Sequence, residues 1–341
     1  MSAAKSAEAA TESLTANRKL GEPYASDGRN PSMDQPTITV ATAPVSFGVD
    51  EILQDDAWMP EPDQILDMIV SAGYAGTELG PPGFLGDAAQ LRERLSSRNL
   101  QLVGSFLPQR FSRVEHAEED RHWLRESLKL IQEGAPEGSK CFAILCDGFG
   151  ERDRMLWSGR IPEHPEAWLP PERFPVLIDN LHRAAEICQR AGFDTVLHFH
   201  AGTYIETADE IHRVMDAIDP SLLGLCLDTG HARFGGADPL ELASTYKDLI
   251  RHVHIKDCKV EIMDDVKREG KGLEEALARG VFCELGEGDS GIGEVIATLK
   301  SNGYTGWLVV EQDRFLRQTD TLETLLQSSV RNREYLKALG V

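Results

Sequence analysis

The 341-residue sequence has no apolar run that approaches the roughly 20 residues a membrane-spanning helix requires. It is also short of positive charge, because 35 lysines and arginines stand against 56 aspartates and glutamates, for a formal net charge of −21. This deficit argues against a nucleic-acid-binding protein, since such a protein needs basic groups to displace counterions from phosphates. The same deficit argues against docking on an anionic membrane.

The six cysteines have neither the CxxC spacing of a zinc site nor the pattern of a disulfide framework. Several, including Cys146 and Cys226, lie inside apolar segments, which is typical of small buried thiols in a reducing compartment. No apolar segment follows Lys5, so a signal peptide is not indicated. We therefore expect a cytoplasmic protein.

Residues 1–36 are rich in Ala, Ser, Glu and Pro and have no apolar periodicity. We predict that they form a disordered tail, or an arm that becomes ordered on a partner subunit. The remaining residues, 37–341, are predicted to form one domain.

From residue 37 onward, short apolar segments rich in β-branched residues alternate with longer segments of helical periodicity. Strands are predicted, each followed by a helix, at 37–44, 75–80, 100–106, 140–147, 193–200, 222–228, 250–257 and 306–312. Near-continuous apolar strands indicate a sheet covered on both faces. Eight such units predict a closed (β/α)8 TIM barrel. An open doubly wound sheet is the alternative, but the first strand lacks the G-x-G-x-x-G turn of dinucleotide-binding sheets.

Polar side chains stand at the ends of five predicted strands. They are Glu78 on the second strand, His198 and His200 on the fifth, Asp228 and then His231 on the sixth, His252, His254, Lys256 and Asp257 on the seventh, and Glu311 on the eighth. Any one of them could be a loop cap or half of an ion pair. Together they would meet at the carboxyl end of the barrel, where catalytic groups of this fold lie. Because such groups are costly to bury unless they are paired or bound to a metal, the pattern predicts a metal site.

Nitrogen and oxygen ligands would be supplied by His198, His200, Asp228, His254 and Glu311. This set suits Mn²⁺, Co²⁺, Fe²⁺, Zn²⁺ or Mg²⁺, and the hard carboxylates favour Mn²⁺. Residues two apart on a strand face the same way, so His198 points with His200, and His254 points with Lys256. We expect one residue of each group to bind the metal and the next to contact the substrate.

The sequence resembles the xylose-isomerase-like sugar isomerase and epimerase barrels over about residues 38–338. The segments that carry the resemblance are GYAGTELG (73–80), HFHAGTYIET (198–207), LCLDTGHARFGGADP (225–239), RHVHIKD (251–257) and GYTGWLVVEQD (303–313). Their combination and order are similar to the inosose dehydratase branch of that family.

In this family a divalent metal is held by Glu, Asp, His and Glu from strands five to eight. The resemblance implies Asp228, His254 and Glu311 as ligands, whereas His198 stands where the family has its first glutamate. Either His198 replaces that ligand, or the metal keeps three protein ligands and more water. The missing glutamate argues against two-carboxylate epimerase chemistry and agrees with the dehydratase branch.

The resemblance further implies that the substrate is bound by Glu78, His200, His231 and Lys256, and that the catalytic groups are His200, His231, Lys256 and Glu311. For three of these residues, a purely structural role is the alternative. His231 could be bonded to the backbone, Lys256 could pair with Asp257, and Glu78 could cap the turn after its strand. The aromatic residues Phe84, Trp157 and Trp168 either pack within their loops or form an apolar wall over the site.

The expected function is that of a divalent-metal-dependent lyase acting on a keto-cyclitol or keto-sugar. A base (His198 or His200, Lys256 or Glu311) would remove the proton alpha to the carbonyl, giving a metal-stabilised enediolate. An acid (His231 or His200) would then assist loss of a beta hydroxyl.

A keto-sugar isomerase or epimerase acting through the same enediolate is the alternative. A non-catalytic sugar-binding barrel and an endonuclease are further alternatives, and the net charge opposes the endonuclease. Partners are expected to be a small polyol or keto-sugar and further copies of the chain, in a dimer or tetramer.

Overall fold

The computed structural model describes residues 38–49, 58–149 and 151–341, so the predicted tail lies outside the described residues. Eight parallel strands form a closed barrel: β1 (Thr39–Thr42), β2 (Gly76–Glu78), β3 (Gln101–Gln109), β4 (Phe142–Asp147), β5 (Thr195–His198), β6 (Gly224–Asp228), β7 (Ile250–Ile255) and β10 (Trp307–Val310). The first strand, β1, pairs with both β2 and β10, which closes the sheet. The predicted (β/α)8 barrel is confirmed.

Helices surround this barrel: α1 (Pro62–Ala72), α2 (Ala88–Ser96), α3 (Ala117–Gly134), α4 (Arg152–Trp157), α5 (Phe174–Arg190), α6 (Ala208–Met215), α7 (Thr229–Gly235), α8 (Pro239–Thr245), α9 (Val260–Arg268), α10 (Leu273–Arg279), α11 (Ile292–Ser301) and α12 (Leu322–Ala338). The main apolar core lies between strands and helices, where residues such as Ile65, Leu181 and Leu225 are fully buried. Among the described residues, we find no helix both long and apolar enough to cross a membrane.

Local sequence features set several helix ends. At the start of α6, the Thr207 side chain accepts the Glu210 backbone N–H while the Glu210 side chain returns to the Thr207 backbone. The first helix, α1, ends at Gly73, whose φ of 87° is the left-handed conformation that glycine adopts without steric cost.

Two insertions at the carboxyl end of the barrel contain structure that the sequence patterns did not predict. The segment after β7 contains α9, α10 and a small antiparallel sheet, which is formed by β8 (Asp257–Cys258) and β9 (Phe282–Cys283). A short helix, α7, also precedes the predicted helix that became α8. Both α7 and α10 border the candidate site.

Candidate active site

The predicted polar residues gather at the carboxyl end of the barrel. His198 and Asp228 end β5 and β6, His254 lies near the end of β7, and Lys256 and Glu311 directly follow β7 and β10. All five are buried. Parallel strands with paired registers bring these positions together, since Cys146 of β4 lies opposite His198 and Asp228 lies opposite His254.

Three of the predicted metal ligands converge. The donor atoms of Asp228, His254 and Glu311 all lie within 4.8 Å of one another. His254 Nδ1 lies 3.0 Å from Glu311 Oε2 and 3.6 Å from Asp228 Oδ2. One nitrogen and two carboxylate oxygens form a donor set that Mn²⁺ and related divalent ions accept.

His198 lies beside this set, with its Nε2 at 3.4 Å from Asp228 Oδ2. Its donor atom forms a second compact group with Cys226 and His254. The structure thus brings His198 next to the three converging ligands, and its role as a fourth ligand stays a prediction.

Four buried imidazole nitrogens in this region have no hydrogen-bond partner among the described residues. They are the Nδ1 atoms of His198, His231, His252 and His254. A buried polar atom without a partner costs free energy, and among predicted metal ligands it is consistent with a site for a bound group. For His254 the unpartnered nitrogen faces two carboxylates, and this fits a metal ion.

Asp228 also has a structural role at the start of the D-T-G-H segment (228–231). It is the N-cap of α7, and its Oδ1 accepts the backbone N–H of His231 at 2.8 Å. This bond uses the backbone N–H of His231 and not its imidazole, whose Nε2 contacts Lys256 Nζ. Gly230 gives Lys256 room to pass, because a Cβ at this position would lie 2.5 Å from Lys256 Cγ.

Lys256 is the centre of a buried charge network. Its Nζ lies 2.8 Å from His231 Nε2, 2.9 Å from both oxygens of Asp313 and 3.1 Å from Glu311 Oε2. Burial by itself would lower the pKa of Lys256, but Asp228, Asp313 and Glu311 outweigh it and raise this pKa well above the usual range. The residue is an ammonium whose main partner is Asp313 rather than Asp257, the partner considered from the sequence.

Asp313 is the residue that sequence reasoning missed. It forms a possible ligand group with His200 and His231, but the Lys256 ammonium already supplies the positive charge there. A sequence signal existed, because Asp313 stands two residues beyond Glu311 at the end of the last strand.

His200 and His231 form a close pair, with ring centroids 3.6 Å apart. His200 Nδ1 lies 2.7 Å from the backbone oxygen of Ala201, so Nδ1 carries the proton and Nε2 the lone pair. Burial, followed by the neighbouring His231, lowers the pKa of His200 well below its usual range. Burial and Lys256 lower the pKa of His231 in the same way, so both imidazoles are neutral.

Glu78 ends β2 and is fully enclosed by its neighbours. Its Oε1 lies 2.7 Å from His252 Nε2 and 2.9 Å from His254 Nε2. Burial alone would raise the pKa of Glu78, but the two imidazoles outweigh burial and hold this pKa well below its usual range. Within the described part of the chain, both hydrogen bonds of Glu78 are with histidines, and neither is with the turn after its strand.

A cavity opens above these polar groups, and its apolar wall is formed by Pro44, Val45, Phe106, Phe149, Leu273 and Leu277. The aromatic residues considered from the sequence lie elsewhere. Trp157 stacks on His164, Trp168 is half exposed, and Phe84 packs against the main core. None of the three lines the cavity, so the alternative of an apolar wall over the site is not supported.

The sequence profile of one family, described as xylose isomerase-like TIM barrel, matches residues 66–334. A protein of Geobacillus kaustophilus named inosose dehydratase is 38% identical over 283 residues, which cover 81% of this chain and 87% of that protein. An inosose dehydratase of Bacillus licheniformis is 31% identical over 295 residues, which cover 83% of this chain and 90% of that protein.

Solved structures are similar in fold. The crystal structure of an IolI protein with a binding zinc atom has a TM-score of 0.64 at 15% identity, over 89% of this chain and 98% of that one. The probable 3-DHS dehydratase AsbF from Bacillus anthracis has a TM-score of 0.64 at 14% identity, over 88% of this chain and 99% of that one. At these identities the structural similarity supports the barrel fold alone.

Proposed function

This chain belongs to the xylose isomerase-like TIM barrel family, and we propose that it is a divalent-metal-dependent dehydratase of a keto-cyclitol or keto-sugar, similar to inosose dehydratase. Its similarity to proteins named inosose dehydratase identifies it as an enzyme acting on a sugar or cyclitol. The observation that carries the proposal is the convergence of His254 Nδ1 with the carboxylates of Asp228 and Glu311.

The metal would be held by Asp228, His254 and Glu311, with His198 as the fourth ligand. When bound, a divalent ion supplies a Lewis acid that stabilises negative charge on a carbonyl oxygen of the substrate. The mixed donor set favours Mn²⁺, and Co²⁺, Mg²⁺, Fe²⁺ and Zn²⁺ are compatible with it.

We assign the base to His200, because its Nδ1–H is bonded to the Ala201 oxygen and leaves a lone pair on Nε2. This nitrogen would take the proton from the carbon next to the substrate carbonyl. A placed base of this kind typically contributes about 10²–10⁴-fold to the rate.

The proton for the departing hydroxyl would come from Lys256. His231 Nε2 lies 2.8 Å from Lys256 Nζ and accepts its N–H, so that nitrogen has no proton of its own to donate. His231 therefore orients Lys256 in this scheme, in place of the acid role predicted from the sequence. The leaving hydroxyl takes one proton from Lys256 and departs as water, and the proton on His200 later returns to Lys256 through solvent.

The keto-sugar isomerase or epimerase alternative lacks a supporting contact. The isomerase and epimerase relatives have their second catalytic carboxylate at the end of β5, and in this chain His198 occupies that position. We further propose that the substrate is a small polyol or keto-sugar, that the protein is cytoplasmic, and that it forms a homodimer or a homotetramer.

The test is proton NMR of the Mn²⁺-loaded or Zn²⁺-loaded enzyme with inosose in deuterated water. Loss of ring signals with formation of a dehydrated diketone, abolished by a chelator, would support the dehydratase. Deuterium incorporation without dehydration would instead support an isomerase or epimerase. Neither reaction in the presence of bound metal would refute the proposed chemistry.

A further inference from the structure

Glu78 has the contacts of a residue that orients histidines. It is 2% exposed, and a single oxygen, Oε1, accepts from both His252 Nε2 and His254 Nε2. An ionised carboxylate has no proton to donate, so each imidazole must carry its proton on Nε2. In a neutral imidazole the lone pair then lies on Nδ1.

For His254 this tautomer directs the lone pair to the proposed metal position. Its Nδ1 faces Glu311 Oε2 at 3.0 Å and Asp228 Oδ2 at 3.6 Å, and it has no hydrogen-bond partner among the described residues. A protonated Nδ1 could not bind a metal, so the hydrogen bond at the far side of the ring decides whether His254 can be a ligand.

Gly104 on β3 is an independent indication that the fold reserves space for this carboxylate. A Cβ at this position would lie 2.8 Å from Glu78 Oε1 and 2.7 Å from Ile144 Cδ1. Glycine weakens a strand interior and often marks a position where another group approaches closely. Here the approaching group is the oxygen that contacts both histidines.

We propose that Glu78 is a positioning residue, which locks the tautomer and ring orientation of His254 so that its Nδ1 can bind the metal. This inference rests on the proposed function, since it assumes that His254 is a metal ligand. This role is additional to the substrate contact predicted for Glu78 from the sequence, which stays a prediction, since Glu78 also lines the cavity.

The test is metal affinity, measured with Mn²⁺ and with Zn²⁺ by competition against a chromophoric chelator. Glu78→Met removes both acceptor oxygens at a similar side-chain length, and it is expected to weaken binding by about 10–100-fold, the usual effect of losing a group that orients a metal ligand. Glu206→Met is the control, since Glu206 is equally buried, accepts from Ser158, Gly159 and Gly202, and lies outside the proposed ligand set. Its affinity should equal that of the wild type.

Glu78→Asp retains the carboxylate charge but shortens the side chain by one methylene, which moves the acceptor oxygen away from the two histidines. A loss of metal affinity in this variant would therefore show that the position of the oxygen matters as well as its charge. Histidine-selective ¹⁵N labelling of the Zn²⁺-loaded protein supplies a second readout. The wild type should show two Nε2 protons protected from exchange with solvent, for His252 and His254, and both should lose this protection in Glu78→Met.

The outcomes separate this inference from the proposed function. Wild-type protein that binds no metal would refute both. Wild-type binding with unchanged affinity and unchanged Nε2 protection in Glu78→Met would refute the positioning role and leave the proposed function standing. Two metal ions in the wild type, one of them lost in Glu78→Met, would make Glu78 a ligand with His252 and would also overturn the positioning role.

Discussion

The carboxylate of Asp228 accepts the backbone N–H of His231 at 2.8 Å through Oδ1 and faces the other proposed metal ligands through Oδ2. One side chain therefore both begins helix α7 and contributes to the candidate metal site. Substitutions can separate these two roles, because an asparagine retains an oxygen for the helix cap but has no charge for the metal.

We predict that Asp228→Asn and Asp228→Ala lose metal affinity to a similar extent, while the alanine variant is less stable by about 1 kcal/mol because it also loses the N-cap. Metal titration and urea unfolding in the presence of a chelator measure the two effects. Wild-type metal affinity in Asp228→Asn would exclude Asp228 as a ligand.

The buried pair of Lys256 and Asp313 is predicted to be strongly coupled. Lys256→Met leaves Asp313 buried without its main cation, which typically costs about 3–5 kcal/mol. Adding Asp313→Asn should restore part of this loss, with a coupling free energy of about 1–3 kcal/mol. A double-mutant cycle by denaturant unfolding measures it, and additive single effects would show that the contact is energetically unimportant. Each variant should also lose turnover.

Gly230 and Gly293 form a matched pair, because each is the second residue of its helix. A Cβ on Gly230 would lie 2.5 Å from Lys256 Cγ, whereas one on Gly293 would meet only Leu339 Cδ2 at 4.0 Å. We expect Gly293→Ala to be neutral or to stabilise by up to about 1 kcal/mol, as glycine-to-alanine changes in helices do. Gly230→Ala should displace Lys256 and lower kcat at least tenfold. Equal kinetics in both variants would contradict the proposed role of Lys256.

The stability of the protein is predicted to depend on pH through Asp147, the last residue of β4. Burial raises the pKa of Asp147 to about 7, although the backbone N–H of Tyr204 and the charge of Arg154 act in the opposite direction. The unfolded chain has the ordinary pKa near 3.9. Folded protein therefore holds a proton that unfolded protein releases, and stability falls as the pH rises from about 4 to about 7.

Asp147→Asn should flatten this dependence, because an amide oxygen still accepts the Tyr204 N–H but does not ionise. Urea unfolding between pH 5 and 8 measures the effect, which we expect to be on the order of 1–3 kcal/mol. Glu118→Gln, which removes a fully exposed carboxylate, controls for the change in net charge. A parallel pH profile for wild type and Asp147→Asn would refute this prediction.

Much of the fold was readable from the sequence because its determinants are local. Apolar β-branched runs, helical periodicity and caps such as Thr207 and Gly73 act over a few residues, and eight repeats of one unit leave few ways to close a sheet. The same regularity predicted that Asp228, His254 and Glu311 would meet, since strand ends in a parallel barrel share one face.

The helices α9 and α10 were less readable, since both are short and rich in charged residues, and Gly270 and Gly272 separate them. The apolar contribution of α10 to the cavity, through Leu273 and Leu277, followed only from how this helix packs over the barrel.

The sequence by itself determined which residues stand at the strand ends and, through the two-residue period of a strand, which of them share a face. Only the tertiary structure decided their partners. Strand register and barrel closure placed Glu78 of β2 against His252 and His254 of β7, and brought Asp313 rather than Asp257 to Lys256. The reason is that the two-residue period of a strand specifies the face to which each side chain points, whereas hydrogen bonds and ion pairs depend on distances between strands that are far apart in the chain.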